Sequence, residues 1–420
     1  MAQATMDMGV ITTVDGTPLK TKLRQAERRN RLRSFSLVLP LLAFIMISFV
    51  FPIGDMIFRS VDNPVVGQHL PKTLEALESW DAQDIPDEAT FAILAEEMRV
   101  AAKAREIGKV ATRLNYDLPG SRSTITKTAR KLKKVEEGPY KELFLKTDKD
   151  WGDVETWSKL KQVGERYTLS YYLAAIDLQR DASGDIIAQP ENRQIYVPLF
   201  IRTLWVSLLI TVICLLLAYP ISYLMATLPV RISNLLIILV LLPFWTSLLV
   251  RTTSWIVLLQ TEGVLNDILV LFGIIGDDGR IQMIYNMTGT IVAMVHILLP
   301  FMVLPLFSVM KTISPSYMRA AKSLGATPWR AFWTVYFPNT VPGMGAGSIL
   351  VFILAIGYYI TPALVGGRTG QLISNFIAFH MQSSLNWGLA AALGGLLLAG
   401  VLALYWLYNR IVGIDSMKFG

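Results

Sequence analysis

Cysteine, histidine and charge are scarce in this chain, and each shortage closes off a class of protein. The single cysteine, Cys214, lies inside an apolar run, so no internal disulfide framework and no CxxC metal site can form. The three histidines, His69, His296 and His380, stand far apart without ligand spacing, and no metal site is expected. A G-x-x-x-x-G-K-[ST] phosphate loop is missing, so the chain does not bind and split ATP by that route. Charged residues make up only 17% of the 420, well below the roughly 25% of soluble proteins.

What is abundant is apolar sequence. Hydrophobic residues reach 53%. Apolar runs of about 20 residues recur, long enough to cross a bilayer. An all-α integral membrane protein is expected, with six spans near 35–58, 199–226, 234–257, 286–310, 339–361 and 388–410. Residues 1–34 carry Lys20, Lys22, Arg24, Arg28, Arg29, Arg31 and Arg33 against Asp7, Asp15 and Glu27. A basic block against the first apolar run reads as a cytoplasmic tail rather than a nucleic-acid arm. Six crossings return the C-terminus, with Arg410 and Lys418, to the cytoplasm. Arg231, Lys311, Arg319, Lys322 and Arg330 then fall in cytoplasmic turns, and Arg202, Arg251, Arg280 and Arg368 at or near the outer side. The first run, Phe35 to Phe58, starts late and has no small-x-small cleavage pattern. Asp55 and Arg59 close it, which marks a retained span rather than a signal peptide.

Residues 59–195 break this pattern. Between 60 and 195 lie 20 basic and 23 acidic residues, a dense and nearly neutral set. The segment reads as an extracytoplasmic, mainly helical insertion between the first span and a five-span part at 196–420. Pro86 to Asn115 has helical spacing of Phe91, Leu94, Ala95, Met98 and Ala102, with Asp87 as cap. Lys127 to Glu137 and Leu169 to Leu178 are further helical candidates, and Asp181 to Asp185 has turn chemistry. No catalytic constellation occurs in the insertion. Pro40, Pro52, Pro220, Pro243, Pro300, Pro305 and Pro362 punctuate the spans and favour kinks, which suit a moving pathway and a static bundle alike.

One polar stretch, 314–338, is built too carefully for a plain loop. Pro315-Ser316 opens a helix over Tyr317 to Leu324. Gly325 stops it, because glycine takes the left-handed conformation cheaply. Thr327 is a good N-cap and Pro328 suits the first helical position. A second helix, Trp329 to Phe337, runs until Pro338. Ala320, Ala321 and Ser323 permit close approach of a partner backbone. Trp329, Phe332, Trp333, Tyr336 and Phe337 can anchor the second helix at the membrane surface.

Within the spans, no acidic residue lies mid-way in the second to sixth; Glu262 and Asp267 stand at the outer edge. Trp245, Trp255, Tyr358 and Tyr359 are candidate pathway residues, since aromatic faces hold cations, or else belt and packing aromatics. Arg251, beside Thr252, Thr253 and Ser254, is either a gate or pathway wall or a side chain snorkelling to the outer interface. His296 is a core histidine or a proton relay.

The order Ala320-Ala321, three residues, Gly325, then Pro338 resembles the signature loop of permeases of binding-protein-dependent ABC importers. Thr203-Leu-Trp-Val-Ser-Leu, Leu241-Leu-Pro-Phe-Trp-Thr-Ser-Leu-Leu-Val-Arg-Thr, Glu262-Gly-Val-Leu-Asn266, Leu298-Leu-Pro-Phe-Met-Val-Leu-Pro305 and Tyr359-Ile-Thr-Pro-Ala-Leu-Val-Gly-Gly367 are similar to the spermidine/putrescine-type branch. The likeness covers roughly 35–60 and 165–415. The resemblance implies a type I importer permease of six spans in a bacterial inner membrane, both termini cytoplasmic. It makes Arg319, Ala320, Ala321, Gly325, Ala326, Thr327 and Pro328 the coupling loop that lies in a groove of an ATPase. Arg319 stands where the family usually carries Glu. Implied partners are a second, homologous permease, two cytoplasmic ATPase subunits carrying ATP and Mg, and a periplasmic solute-binding protein delivering a polyamine-like cation. An ion-coupled secondary transporter would instead show inverted repeats and buried carboxylates, and a membrane-anchored receptor a binding constellation in 59–195.

Overall fold

The computed structural model describes residues 19–135 and 137–412. The start of the basic tail, with Asp7 and Asp15, and Lys418 lie outside them, as do the side chains of Lys20, Lys22 and Arg24. The chain divides into two units at Phe58–Arg59. In the first, Leu19–Ile45, a π-turn Met46–Val50 and Phe51–Arg59 follow one another, so tail and span share one helix. The π-turn sits just ahead of Pro52: Phe51 N–H reaches back to Met46 O, widening the ladder where the proline ring would meet a carbonyl.

The second unit begins with the insertion. Its helices are Pro64–His69, Pro71–Glu78, Glu88–Lys103, Ile107–Asp117, Ser121–Leu132, Tyr140–Thr147, Val154–Gly164 and Ser170–Ala175. They close on a chain of four fully buried rings. Phe91 packs on Phe144 at 5.3 Å and on Trp157 at 4.7 Å, and Trp151 joins Phe144 at 5.0 Å and Trp157 at 5.4 Å. Both indoles are satisfied inside, Trp151 by Thr128 Oγ1 and Trp157 by Trp151 O. The two ends of the insertion meet: Asn63 N donates to Arg166 O and Thr168 N to Val61 O.

Several expected boundaries are corrected here. Asp87 caps its helix by accepting from Thr90 N, but the expected Pro86–Asn115 helix is two helices. Arg105 takes φ +62, and Glu106 N bonds back to Ala101 O, a helix-closing turn. The basic helix is Ser121–Leu132 rather than Lys127 to Glu137. The third candidate shortens to Ser170–Ala175, and Leu178–Arg180 pairs antiparallel with Ile186–Ala188 around the Asp181–Asp185 turn.

Six helices among the described residues are long and apolar enough to cross a membrane: Glu27–Arg59, Tyr196–Thr227, Leu248–Leu271, Met287–Thr312, Pro328–Gly357 and Trp387–Arg410. The count matches the expectation; two spans differ in build. The third, expected at 234–257, falls instead at Leu248–Leu271, built from Leu248–Leu259 and Val264–Leu271, with Val230–Trp245 a shorter apolar segment before it. Val230–Leu241 gives way to a 3-10 turn, Leu242–Trp245, and a new helix Leu248–Leu259 starts under a Ser247 cap. Pro243 removes a donor there, and Phe244 packs on Phe301, about midway along the fourth span, at 5.1 Å. The fifth ends at Gly357 instead of 361, and Ile360–Val365 starts a separate short helix. Carbonyls left free at that break are taken by the next helix, Ile373–Gln382: Ser374 Oγ donates to Tyr358 O and Asn375 Nδ2 to Tyr359 O.

Spans two, four and five share one core, including Ile210, Cys214, Leu298, Met302 and Val351. Gly343 and Gly347 allow the close contact of the fifth span with the fourth, since a Cβ would lie 2.9 Å from Val309 or 2.7 Å from Met302 Sδ.

Candidate functional site: the loop between the fourth and fifth spans

The loop is assembled by local chemistry at almost every step. Ser314 caps the helix Pro315–Ser323, its Oγ accepting from Ser316 N. Gly325 takes φ +86, and Ala326 N closes the turn on Ala321 O at 3.1 Å. A Cβ added at Gly325 would meet nothing within 4 Å, so glycine is there for its backbone angle and not for room. Thr327 Oγ1 caps the next segment by accepting from Arg330 N at 3.4 Å, with Pro328 at its first position.

The end of the loop differs from the expectation. The second helix does not stop at Pro338. Pro328–Ala331 runs through a π-turn, Phe332–Tyr336, into Phe337–Gly357. Phe337 N–H bonds to Phe332 O, and Asn339 Nδ2 donates to Val335 O. The same device precedes Pro52, and in both places a Phe-Pro pair follows the π-turn. The consequence is mechanical: the second half of the loop is the beginning of the fifth span.

That half is also fastened sideways. Tyr223 of the second span meets Phe332 at 6.0 Å and Tyr336 at 5.4 Å, and Tyr219 meets Phe337 at 5.9 Å. Tyr219 Oη lies 3.3 Å from Thr340 Oγ1. Each such ring pair contributes roughly 0.5–1.5 kcal/mol beyond its burial. Sequence reasoning missed Tyr219 and Tyr223; their spacing of four on one helical face was the available signal. Of the expected anchors, Phe332, Tyr336 and Phe337 do pack inward. Trp329 and Trp333 stay outside, the former 71% exposed.

The outer surface of the loop is left open. Leu324 at its tip is 90% exposed. Arg319, Ala320, Thr327 and Pro328 are exposed, Ala321 and Ala326 half-buried. Lys311, Arg319, Lys322 and Arg330 have no ionic partner among the described residues.

The candidate pathway residues divide. Trp255 Nε1 donates to His296 Nδ1 at 3.1 Å, so His296 is an acceptor there. Arg251 lies near enough to His296 and Tyr358 for its charge to reach both. It stands in the first turn of the helix Leu248–Leu259, and its Nε is buried without a hydrogen bond among the described residues. Thr252 Oγ1 lies 3.4 Å from Thr361 Oγ1. Trp245 and Tyr359 are exposed and make no part of this cluster. Of the arginines expected at or near the outer side, Arg202 bonds Thr369 O, and Arg280 pairs with Asp267 and Asp277.

Between the fifth and sixth spans, His380 sits buried in the helix Ile373–Gln382. Its Nε2 lies 2.8 Å from Tyr196 Oη and its Nδ1 2.8 Å from Ser384 Oγ. Burial holds its imidazole below the ordinary pKa. The carboxylate of Asp177, in the insertion, accepts from the amides of Ile195, Tyr196 and Val197 and so caps the second span from outside it.

Six helices long and apolar enough to cross a membrane, one of them joined to a structured loop, define the class: a multi-pass membrane protein. Comparison with known proteins names the family. Residues 195–412 match the family described as binding-protein-dependent transport system inner membrane component, and the chain belongs to it. It therefore has the type I ABC importer permease fold and is an inner-membrane protein. The spermidine/putrescine transport system permease PotB of Salmonella typhimurium is 34% identical over 221 residues, 52% of this chain and 76% of that one. PotB of Haemophilus influenzae is 35% identical over 251 residues, 57% and 87% of the two chains. Among solved structures, a bacterial ABC transporter that imports alginate aligns at TM-score 0.41 and 18% identity, over 52% of this chain and 80% of that one.

Proposed function

We propose that this chain is the coupling permease of an ATP-driven importer for a small polar solute of the polyamine-like, organic-cation kind. It would work with a second, homologous permease and two cytoplasmic ATPases that hold ATP and Mg. A periplasmic binding protein would deliver the solute, and both termini would be cytoplasmic. The observation that carries the reading is the continuity of the loop with the fifth span. A push on the exposed face around Leu324 reaches the spans through the π-turn and the Tyr219–Tyr223 ring contacts. A ligand shifts such an equilibrium only through contacts that differ between its states, and the loop surface is where those contacts form. The substrate class is supported by the names of the PotB relatives. Cation-holding aromatic faces at Trp255 and Tyr358 fit it, with Arg251 as the gate charge beside them.

The reading is tested with a single thiol. Cys214 is buried, so Leu324→Cys creates an isolated reactive site. A short crosslinker there should join the chain to an ATPase subunit in native membranes. Transport that persists after ATP depletion, or a loop that captures no ATPase, would favour an ion-driven transporter and end this reading.

A further inference from the structure

A cleft of about 800 Å³ lies between the insertion and the loop that leads into the last span, and nothing above uses it. Its lining carries Arg59, Lys109, Arg113 and Arg122 against one carboxylate, Asp62. Asp62 is already engaged by Arg166 at 2.8 Å. Arg113 is consumed internally, by Asn63 Oδ1, Asp117 and the face of Tyr171. Lys109 holds Glu106 at 2.5 Å, but the exposed Arg122 has no ionic partner among the described residues. The cleft is therefore net positive, with an open cation on its rim.

The facing wall is unusual in its backbone. Leu385 takes φ +54 and is 61% exposed. A left-handed conformation costs a branched residue about 1–2 kcal/mol. The neighbours impose it: Tyr116 Oη donates to Ser384 O at 3.2 Å, and Ser384 Oγ is held by His380. The effect is to keep Leu385, with the exposed Trp387, out of the core and on the rim. Projecting apolar and aromatic side chains beside arginine are the make-up of protein-interface anchors, not of a pocket floor.

We propose that this cleft is the seat of the solute-loaded binding protein and takes a lobe carrying acidic and apolar residues. The proposal rests on the importer reading, which supplies a delivery protein on this side of the membrane. Charge complementarity selects the lobe: an acidic surface meets Arg122, and an apolar one meets Leu385 and Trp387. Seating is felt by the spans because the cleft wall is shared with them. Gly388 packs so closely on Tyr171 that a Cβ would lie 2.4 Å from the ring.

The test uses the assembled transporter in vesicles with its purified binding protein. Leu385→Cys, the only accessible thiol beside buried Cys214, should crosslink to the binding protein when solute is present. Arg122→Glu should raise the half-saturating binding-protein concentration for ATPase stimulation about tenfold and leave the basal ATPase rate unchanged, the signature of a lost rim charge. A crosslink to the second permease alone, unaltered stimulation in Arg122→Glu, or capture of free solute at this cleft without the binding protein overturns the proposal. If no binding protein stimulates even the unaltered transporter, the importer reading itself fails, and that outcome is distinguished by the unaltered control.

Discussion

The insertion and the loop between the fourth and fifth spans are built on opposite rules. The insertion closes on a core of its own: its rings pack edge to face or tilted on one another and its indoles are bonded inside. The loop leaves Leu324 and Trp329 in the open. A region with its own core is shaped by what it buries. The loop takes its shape from caps and turns instead, and its outer face stays open.

The same substitution should therefore do opposite things in the two places. Trp157→Ala should cost about 3–5 kcal/mol and unfold the insertion, read as lost hydrogen-exchange protection over 60–195 with the spans intact. Trp329→Ala should leave all protection unchanged and weaken ATPase docking about tenfold or more, read by co-purification, since exposed aromatics act as interface anchors. Equal effects of the two would erase the distinction. At the junction, Asp177→Ala removes a charged cap worth about 1–2 kcal/mol. It should fray the outer end of the second span and loosen the insertion from it, and Asp177→Asn should recover part of the loss.

The smallest expected effect is that of pH at His380. Burial lowers its folded pKa, so its contribution is full above the unfolded value of about 6.5 and is lost as pH falls through the folded one. Exchange protection around Tyr196 and Ser384 should fall on acidification from pH 7.5 to 5, and His380→Gln should flatten that dependence.

The sequence showed most clearly what local chemistry decides. Gly325, Thr327, Pro328 and Asp87 do what their side chains and backbone freedom dictate within a few residues. The failures are places where another part of the chain decides. Pro338 reads as a stop, but a π-turn ahead of it lets the helix pass. The stretch 234–257 reads as one apolar run, yet it breaks after Pro243 at the level of Phe301. Asp177 reads as part of a helical stretch, Leu169 to Leu178, and serves as a remote cap, because its partners lie 18 to 20 residues on. His296 reads as a core histidine or a proton relay; it is half-buried, and its Nδ1 accepts from a tryptophan chosen as a pathway candidate.

The central claim is that the loop is a lever whose turn at Gly325 fixes the docking surface, and two substitutions there test it most directly. Gly325→Ala adds only backbone strain, about 1–2 kcal/mol, in open space. Gly325→Trp adds the same strain and a large side chain on the docking face. In reconstituted vesicles, Gly325→Trp should insert normally and abolish ATP-driven uptake, while Gly325→Ala keeps a reduced but measurable rate. Uptake by Gly325→Trp at the unaltered rate would contradict the lever.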